Sequence, residues 1–192
     1  MHEQGILEEL GYRMICRYAN GVTRPFLALK GDVVSVVKIV EASEYPSPRK
    51  FNHVINDAKA LMLAQDIFWI PELLESGILK QGDLSFAYLA RRFAEGQDIL
   101  WVDHFSASFL HSLEKLVCAL HSTGIARLDL VSEDFDSAAR YKHNVLITPE
   151  DEPVYYDLGN CLFSDISRIH EFEEEKKRDL EDLEYIFWFL KR

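Results

Sequence analysis

The chain has 192 residues, of which 48% are hydrophobic and 28% charged, a composition typical of a globular protein with one large domain or two small lobes. Its 21 basic and 32 acidic residues give a formal net charge of −11. Such a surface repels polyphosphate, so we expect no direct binding to nucleic acid. No run of about 18 apolar residues occurs, so we also expect no membrane span.

The first third of the sequence has the pattern of an antiparallel three-stranded meander. Residues 12–18 are apolar and aromatic, residues 25–29 form a second short run, and residues 33–40 form a β-branched run typical of a buried strand. Turns are indicated by Asn20-Gly21 and by Lys30-Gly31-Asp32 between these runs.

The hydrophobic period then changes to that of a helix. Residues 51–65 carry apolar side chains at helical spacing, and residues 73–79 and 84–90 predict two further strands. The amino-terminal part, about residues 1–93, is therefore expected to be a five-stranded antiparallel sheet with one helix.

The remainder, about residues 94–192, is predicted to be mostly helical. A long amphipathic helix begins near residue 106 and ends at Gly124, and residues 176–192 form another. Between them, residues 145–147 and 154–156 predict a hairpin. We expect a single α+β domain built from these two parts.

The three cysteines, Cys16, Cys118 and Cys161, form no CxxC pair and have apolar neighbours in the sequence. We interpret them as reduced core thiols, which favours a reducing compartment. The first residues lack the basic start and apolar core of a signal peptide, so we expect a cytoplasmic protein. The seven histidines lack the spacing of a zinc site.

Five polar features interrupt the apolar pattern. Lys38 lies inside the third predicted strand, where a lysine without a partner would lose the hydration of its charge. Asp57, on the helix that follows, is a possible partner. Asp129 follows the long helix in the segment 127–130. Asn144 opens the later hairpin, and the segment Asp157-Leu158-Gly159 closes it.

In this order, the features resemble the motifs of the protein-kinase superfamily. That family carries a strand lysine in a V-A-I-K context, an acid on the next helix, a catalytic loop H-R-D-x-x-x-x-N and a D-F-G motif. The matching positions are Val36-Val37-Lys38, Asp57, Asp129-Leu130, Asn144 and Asp157-Leu158-Gly159. Asp182 on the last helix resembles the aspartate that supports the catalytic loop. The resemblance extends from about Tyr12 to the end and implies a bilobal kinase-like fold.

The resemblance also implies ATP- and magnesium-dependent transfer of the γ-phosphate to a hydroxyl of a protein, a sugar or another small molecule. Lys38 would hold the α- and β-phosphates, oriented by Asp57. Asn144 and Asp157 would bind Mg²⁺, and Asp129 would accept or orient the attacking hydroxyl.

Three further residues are implied in nucleotide binding. Gly21 and Thr23, between the first two strands, would help to cover the phosphates. Phe93 lies in the break after the fifth strand, where backbone groups of a hinge would meet adenine.

Several positions depart from the family pattern. The phosphate loop has one glycine, Asp57 replaces a glutamate, and Arg127-Leu128 replace the histidine and arginine before the catalytic aspartate. A ten-residue insertion, residues 131–140, is expected to form a loop at the mouth of the site. An alternative alignment uses Asp134 at the family spacing instead of Asn144.

There is no A-P-E motif, and we expect the peptide-docking helices of ordinary protein kinases to be missing. This reduced set of elements is similar to that of small atypical kinases, namely the kinase of the tRNA threonylcarbamoylation complex, the lipopolysaccharide core-sugar kinases and short bacterial effector kinases. An effector kinase would act in a host cytoplasm.

Two alternatives stay open. The poor glycine loop and the lost histidine favour a pseudokinase or scaffold that binds a partner protein with weak or no catalysis. The third interpretation is an unrelated α+β binding domain in which the motifs occur by chance.

Overall fold

The computed structural model describes residues 2–18, 23, 25–42, 48–133, 140–142 and 144–188. These residues form an α+β structure with four α-helices and a five-stranded antiparallel sheet, which confirms the predicted fold class at this level. The chain divides into two compact units. The first comprises Met1–Met62 and Pro71–Phe93, and the second comprises Leu63–Ile70 and Ala94–Arg192.

The helices are α1 (His2–Glu9), α2 (Pro48–Leu63), α3 (Ala107–Ser122) and α4 (Ile169–Trp188), with a 3-10 helix at Ile99–Trp101. The strands are β1 (Arg13–Arg17), β2 (Phe26–Lys30), β3 (Val33–Glu41), β4 (Leu73–Gln81), β5 (Leu84–Arg92), β6 (Gln97–Asp98), β7 (Ile125–Ala126), β8 (Val131–Glu133), β9 (Arg140–Lys142), β10 (Val145–Ile147), β11 (Pro153–Tyr155) and β12 (Leu162–Phe163).

The sheet of the first unit has the strand order β1-β2-β3-β5-β4, so β3 is its central strand. Residues Val36 to Val40 are all buried, which explains why this segment is apolar except at Lys38. Alternate side chains of a strand point to opposite faces. Val37 and Ile39 therefore share one face, and Lys38 lies on the other.

The first of these faces packs against α1, which the sequence did not predict. Ile6 and Leu7 of α1 are fully buried and belong to one cluster with Val37 and Ile39. The expectation of one helix in this part was therefore wrong, because α1 covers the face opposite to Lys38. With eight residues, α1 is too short to show a clear helical period.

In the second unit, α3 and α4 supply the main apolar surfaces. The Ser106 hydroxyl caps α3 by accepting a hydrogen bond from the Phe109 amide at 2.9 Å. Gly124, with φ of 82°, follows the helix end. The last helix begins at Ile169 rather than near residue 176, because Phe172 and Glu175 in its charged first turns are buried.

The second unit also contains more short strands than the one predicted hairpin. β6 joins β10 and β11 in a three-stranded sheet, and β7 pairs with β12. The predicted insertion loop begins and ends in strands instead, since β8 pairs with β9 between Val131 and Lys142. Asp134, used by the alternative alignment, lies outside the described residues.

The interpretation of all three cysteines as core thiols was wrong. Cys161 is buried, whereas Cys16 and Cys118 are exposed. Cys16 lies on the edge strand β1, all of whose residues are exposed. Among the described helices, none combines the length and apolar character that crossing a membrane requires.

A polar bridge crosses the first unit's sheet between β2 and β4. The Lys30 ammonium donates a hydrogen bond to Glu75 Oε1 at 2.7 Å, and the Tyr12 hydroxyl also bonds to Glu75. Burial alone would raise the pKa of Glu75, but the hydrogen bonds from Lys30 and Tyr12 lower it below its usual value. The ionised form therefore stabilises the fold above its unfolded pKa.

We expect Glu75→Gln to lower the free energy of unfolding at pH 7 by about 1 kcal/mol. The difference from the wild type should shrink as the pH falls below about 4.5, because Glu75 of the wild type then takes up a proton in the folded as well as the unfolded state. Urea denaturation between pH 3 and 8 measures this. Glu72→Gln, in the exposed pair with Arg92, is the control. An equal loss in both variants at pH 7 would contradict the assignment.

Candidate functional site

Lys38 and Asp57 form a buried ion pair in the first unit. The Lys38 ammonium donates a hydrogen bond to Asp57 Oδ2 at 2.7 Å, and the two side chains are only 3% and 1% exposed. The partnership predicted from the sequence is thus present in the structure. One carboxylate and one ammonium compensate each other here, because a single buried charge would cost several kcal/mol.

The other nucleotide-binding residues predicted in the first unit are Thr23, Phe93 and Gly21. Thr23 is buried. Phe93 is the last residue of the unit, its side chain is half-exposed, and its amide donates a hydrogen bond to the Val34 carbonyl at 3.0 Å. Gly21 lies outside the described residues.

In the second unit, the β10–β11 hairpin brings Asn144 and Asp157 to one end. Val145 is paired with Tyr155, and the Tyr156 amide donates a hydrogen bond to the Asn144 carbonyl at 3.0 Å. Asn144 therefore immediately precedes β10 at the point where the chain leaves β11 for Asp157. The Asp157 carboxylate accepts a hydrogen bond from the Gly159 amide at 3.2 Å, which holds this turn.

The segment from Arg127 to Leu130 presents Asp129 beside the same hairpin end. Leu128 and Leu130 are fully buried, whereas Arg127 is exposed and Asp129 is half-buried, and both of these have φ of 57°. This left-handed conformation is unfavourable for a residue with a side chain, and such residues concentrate at functional sites. The Asn144 side-chain amide donates a hydrogen bond to the Asp129 carbonyl at 3.1 Å, which links the two predicted residues.

Asp179 on α4 anchors this segment, and the sequence reasoning missed it. Its carboxylate accepts a hydrogen bond from the Leu128 amide at 2.7 Å, and its other oxygen lies 2.9 Å from His121 Nε2. Asp182, predicted for the supporting role, accepts from the Val131 amide at 3.2 Å. Burial raises the pKa of Asp179, although its hydrogen bonds to His121 and Leu128 oppose that shift.

Tyr155 is a second residue that the sequence did not indicate. It is fully buried, and its hydroxyl has no hydrogen-bond partner in the described part of the chain. Burial raises the pKa of Tyr155, and the nearby acidic groups raise it further.

The donor groups at the hairpin end are suited to Mg²⁺. Magnesium prefers oxygen ligands and usually takes only one or two carboxylates from a protein. Asn144 Oδ1 is a buried oxygen without a hydrogen-bond partner among the described residues. Asp157 directly follows Tyr156, whose amide donates to the Asn144 backbone carbonyl. The described part of the chain contains no group of three His, Cys, Asp or Glu side chains arranged for a metal.

The predicted residues thus fall into two sets. Lys38, Asp57, Thr23 and Phe93 belong to the first unit, and Asp129, Asn144 and Asp157 belong to the second. Within each unit, the structure brings together the residues named by the main motifs: the Lys38–Asp57 pair, and the neighbouring Asp129, Asn144 and Asp157.

Comparison with known proteins adds no family assignment, because no protein-family model matches the chain and the search of curated proteins gave no match. The functional assignment therefore depends on the geometry described above.

We expect Lys38→Met to lower the free energy of unfolding by about 3–5 kcal/mol, because it leaves the Asp57 carboxylate buried without its cation. The double variant Lys38→Met/Asp57→Leu should recover most of this loss, since it removes both charges. Urea denaturation at neutral pH measures both. Lys177→Met, in the exposed pair with Glu181, should change little. A double variant no more stable than the single one would contradict this account.

We expect Asp179→Ala to lower the free energy of unfolding by about 3 kcal/mol, because the Leu128 amide and His121 lose their acceptor. Asp179→Asn keeps one acceptor oxygen and should lose less. Glu184→Ala, at an exposed position on the same helix, controls for helix propensity and should stay within about 0.5 kcal/mol of the wild type. Equal stability of Asp179→Ala and Glu184→Ala would show that Asp179 does not anchor the segment.

Proposed function

We propose that the protein is a small kinase-like phosphotransferase that moves the γ-phosphate of ATP to a hydroxyl group. In this proposal, the first unit corresponds to the amino-terminal lobe of a kinase-like fold and the second unit to a reduced carboxy-terminal lobe. The protein would then belong with the atypical members of that superfamily.

The observation that carries the proposal is the arrangement of Asp129, Asn144 and Asp157. These residues are separated by up to 28 positions in the sequence, yet one hairpin end and one side-chain hydrogen bond connect them. An aspartate next to an asparagine and a second aspartate is the combination that phosphoryl transfer requires for orienting a nucleophile and holding a metal.

Each residue has a role that its chemistry supports. Lys38, held by Asp57, would donate hydrogen bonds to the phosphates of the nucleotide. Asn144 and Asp157 would hold Mg²⁺, which when bound neutralises the charge of the phosphate oxygens. Asp129 would orient the acceptor hydroxyl and take up its proton. The acceptor oxygen forms a bond to the γ-phosphorus, the bond from that phosphorus to the β-phosphate oxygen breaks, and ADP leaves.

A second candidate is a pseudokinase that binds a partner protein. The observation in its favour is the exposure of large aromatic side chains in the second unit, since Phe68 is 87% exposed and Trp101 is 73% exposed. Large apolar side chains on a surface are common in protein–protein interfaces. Such a protein would bind nucleotide weakly or without magnesium.

The first test is a thermal-shift titration with ATP, with and without magnesium, combined with measurement of ADP release. ATP at about 100 times its dissociation constant should add roughly 2.7 kcal/mol of stability, which is several degrees for a protein of this size. Asp157→Asn should abolish the magnesium-dependent part of the shift. Asp129→Asn should keep the shift but reduce turnover by about 100-fold or more.

Asp103→Asn, at an exposed aspartate of the second unit, is the matched control and should behave as the wild type. Full turnover in Asp157→Asn would refute the metal assignment. Absence of a shift with any nucleotide would reject the phosphotransferase and favour the partner-binding protein.

A further inference from the structure

Tyr156 joins the end of the β10–β11 hairpin to a third strand. It stands between β11 and Asp157, and its amide donates a hydrogen bond to the Asn144 carbonyl at 3.0 Å. Its hydroxyl donates a second hydrogen bond, to Asp98 Oδ2 at 2.7 Å. Asp98 belongs to β6, which pairs with β10 on the side away from β11. One tyrosine therefore connects both outer strands of this sheet at the end that carries Asn144 and Asp157.

The position of Asp98 is fixed by contacts that do not involve Tyr156. The backbone of Asp98 pairs with β10, and its carboxylate also accepts a hydrogen bond from the Leu100 amide at 2.9 Å, which caps the 3-10 helix. A Cβ atom at Gly96 would come within 2.8 Å of the Ile147 carbonyl oxygen, so this glycine allows β6 to approach β10 closely. The Tyr156 hydroxyl thus binds a carboxylate that other groups already hold in place.

The hydrogen bond between Tyr156 and Asp98 is of the stronger kind. Its acceptor is a carboxylate, and hydrogen bonds with an ionised partner are shorter and stronger than those between neutral groups. The Tyr156 side chain is half-buried, and burial together with the hydrogen bond to Asp98 raises the pKa of its hydroxyl. The hydroxyl therefore keeps its proton at neutral pH and acts as the donor.

We infer that Tyr156 is a positioning residue for the proposed magnesium ligands, Asn144 and Asp157. Its amide bonds to the Asn144 backbone, and Asp157 is the next residue in the chain, so an anchored tyrosine ring restricts both. On the other side, the Gly159 amide donates to the Asp157 carboxylate at 3.2 Å. Tyr156 takes no part in the bond changes of the reaction. This inference rests on the proposed function, because it concerns the metal ligands of that reaction.

Loss of the anchor should change the affinity for magnesium more than the maximal rate. Residues that support metal ligands typically contribute about tenfold or more to metal affinity, because ligands held in place need less ordering when the metal binds. Once Mg²⁺ is bound, Asn144 and Asp157 are ordered with or without the tyrosine hydroxyl. The magnesium requirement and kcat are therefore expected to respond differently to the same substitution.

The first experiment measures amide hydrogen exchange by NMR in the full chain, without nucleotide or metal. Tyr156→Phe removes the hydroxyl and keeps the ring, and we expect the amide at position 156 to exchange about tenfold faster relative to amides of α3. Thr148→Val is the matched control. It also removes one hydroxyl from the same hairpin, that which accepts from the Glu152 amide at 3.2 Å at the opposite end. It should leave the exchange ratio unchanged.

An unchanged exchange ratio in Tyr156→Phe, or an equal rise in Thr148→Val, would overturn the inference. This experiment uses neither ATP nor magnesium, so its outcome is independent of whether the protein transfers phosphate.

The second experiment measures ADP release at a fixed ATP concentration and determines the free Mg²⁺ concentration that gives half of the maximal rate. We expect this concentration to rise about tenfold in Tyr156→Phe, with kcat at saturating magnesium within about twofold of the wild type. Thr148→Val should behave as the wild type does. An unchanged magnesium requirement in Tyr156→Phe would overturn the inference even where the wild type transfers phosphate.

A double-mutant cycle tests whether Tyr156 acts through Asp98. Asp98→Asn keeps one oxygen for the Leu100 amide, but its NH2 group cannot accept the hydroxyl proton of Tyr156. We expect the same rise in the magnesium requirement as in Tyr156→Phe, and no further rise in the double variant. Effects that multiply in the double variant would refute this route. Absence of any turnover in the wild type, despite the expected difference in amide exchange, would instead count against the proposed function.

Discussion

The second unit depends on one buried carboxylate, that of Asp179. Its two oxygens join three parts of the chain: the helix α4 that carries it, the last turn of α3 through His121, and the segment before Asp129 through the Leu128 amide. Among the described residues, no other group accepts a hydrogen bond from the Leu128 amide. The residues on both sides of Leu128, Arg127 and Asp129, adopt left-handed backbone angles. The raised pKa of Asp179 reflects the cost of placing a carboxyl in this interior.

The two units solve the problem of buried charge in different ways. In the first, a lysine and an aspartate compensate each other directly between β3 and α2. In the second, backbone amides and side-chain donors hold the carboxylates of Asp179 and Asp182. A direct ion pair has little net charge with which to attract a ligand, unless a phosphate comes close enough to contact the lysine. A neutral amide, unlike a lysine, brings no positive charge that would cancel the charge of the carboxylate.

The sequence predicted those features whose interacting residues lie close together along the chain. The strands of the sheet and the β10–β11 hairpin were predictable, because alternation and turn residues lie within a few positions. Lys38 and Asp57 could be paired because an ammonium inside an apolar strand demands a partner nearby. Asp179 could not, since its contacts with Leu128 and His121 span 51 and 58 positions. Helix α1 and the strands of the inserted segment carry too few residues to show a period.

The two ends of the hairpin that carries Asn144 and Asp157 differ in how well they tolerate a change in length. Its turn, around Asp151, lies far along the strands from the two functional residues. Its strands are three residues each, and their register sets Val145 against Tyr155. Adding one residue within either strand would rotate every later side chain to the other face of the sheet. Such a slip would disrupt the pairing that sets the Tyr156 amide against the Asn144 carbonyl at this end of the hairpin. Insertions that keep the register of Asn144 and Asp157 are therefore confined to the turn.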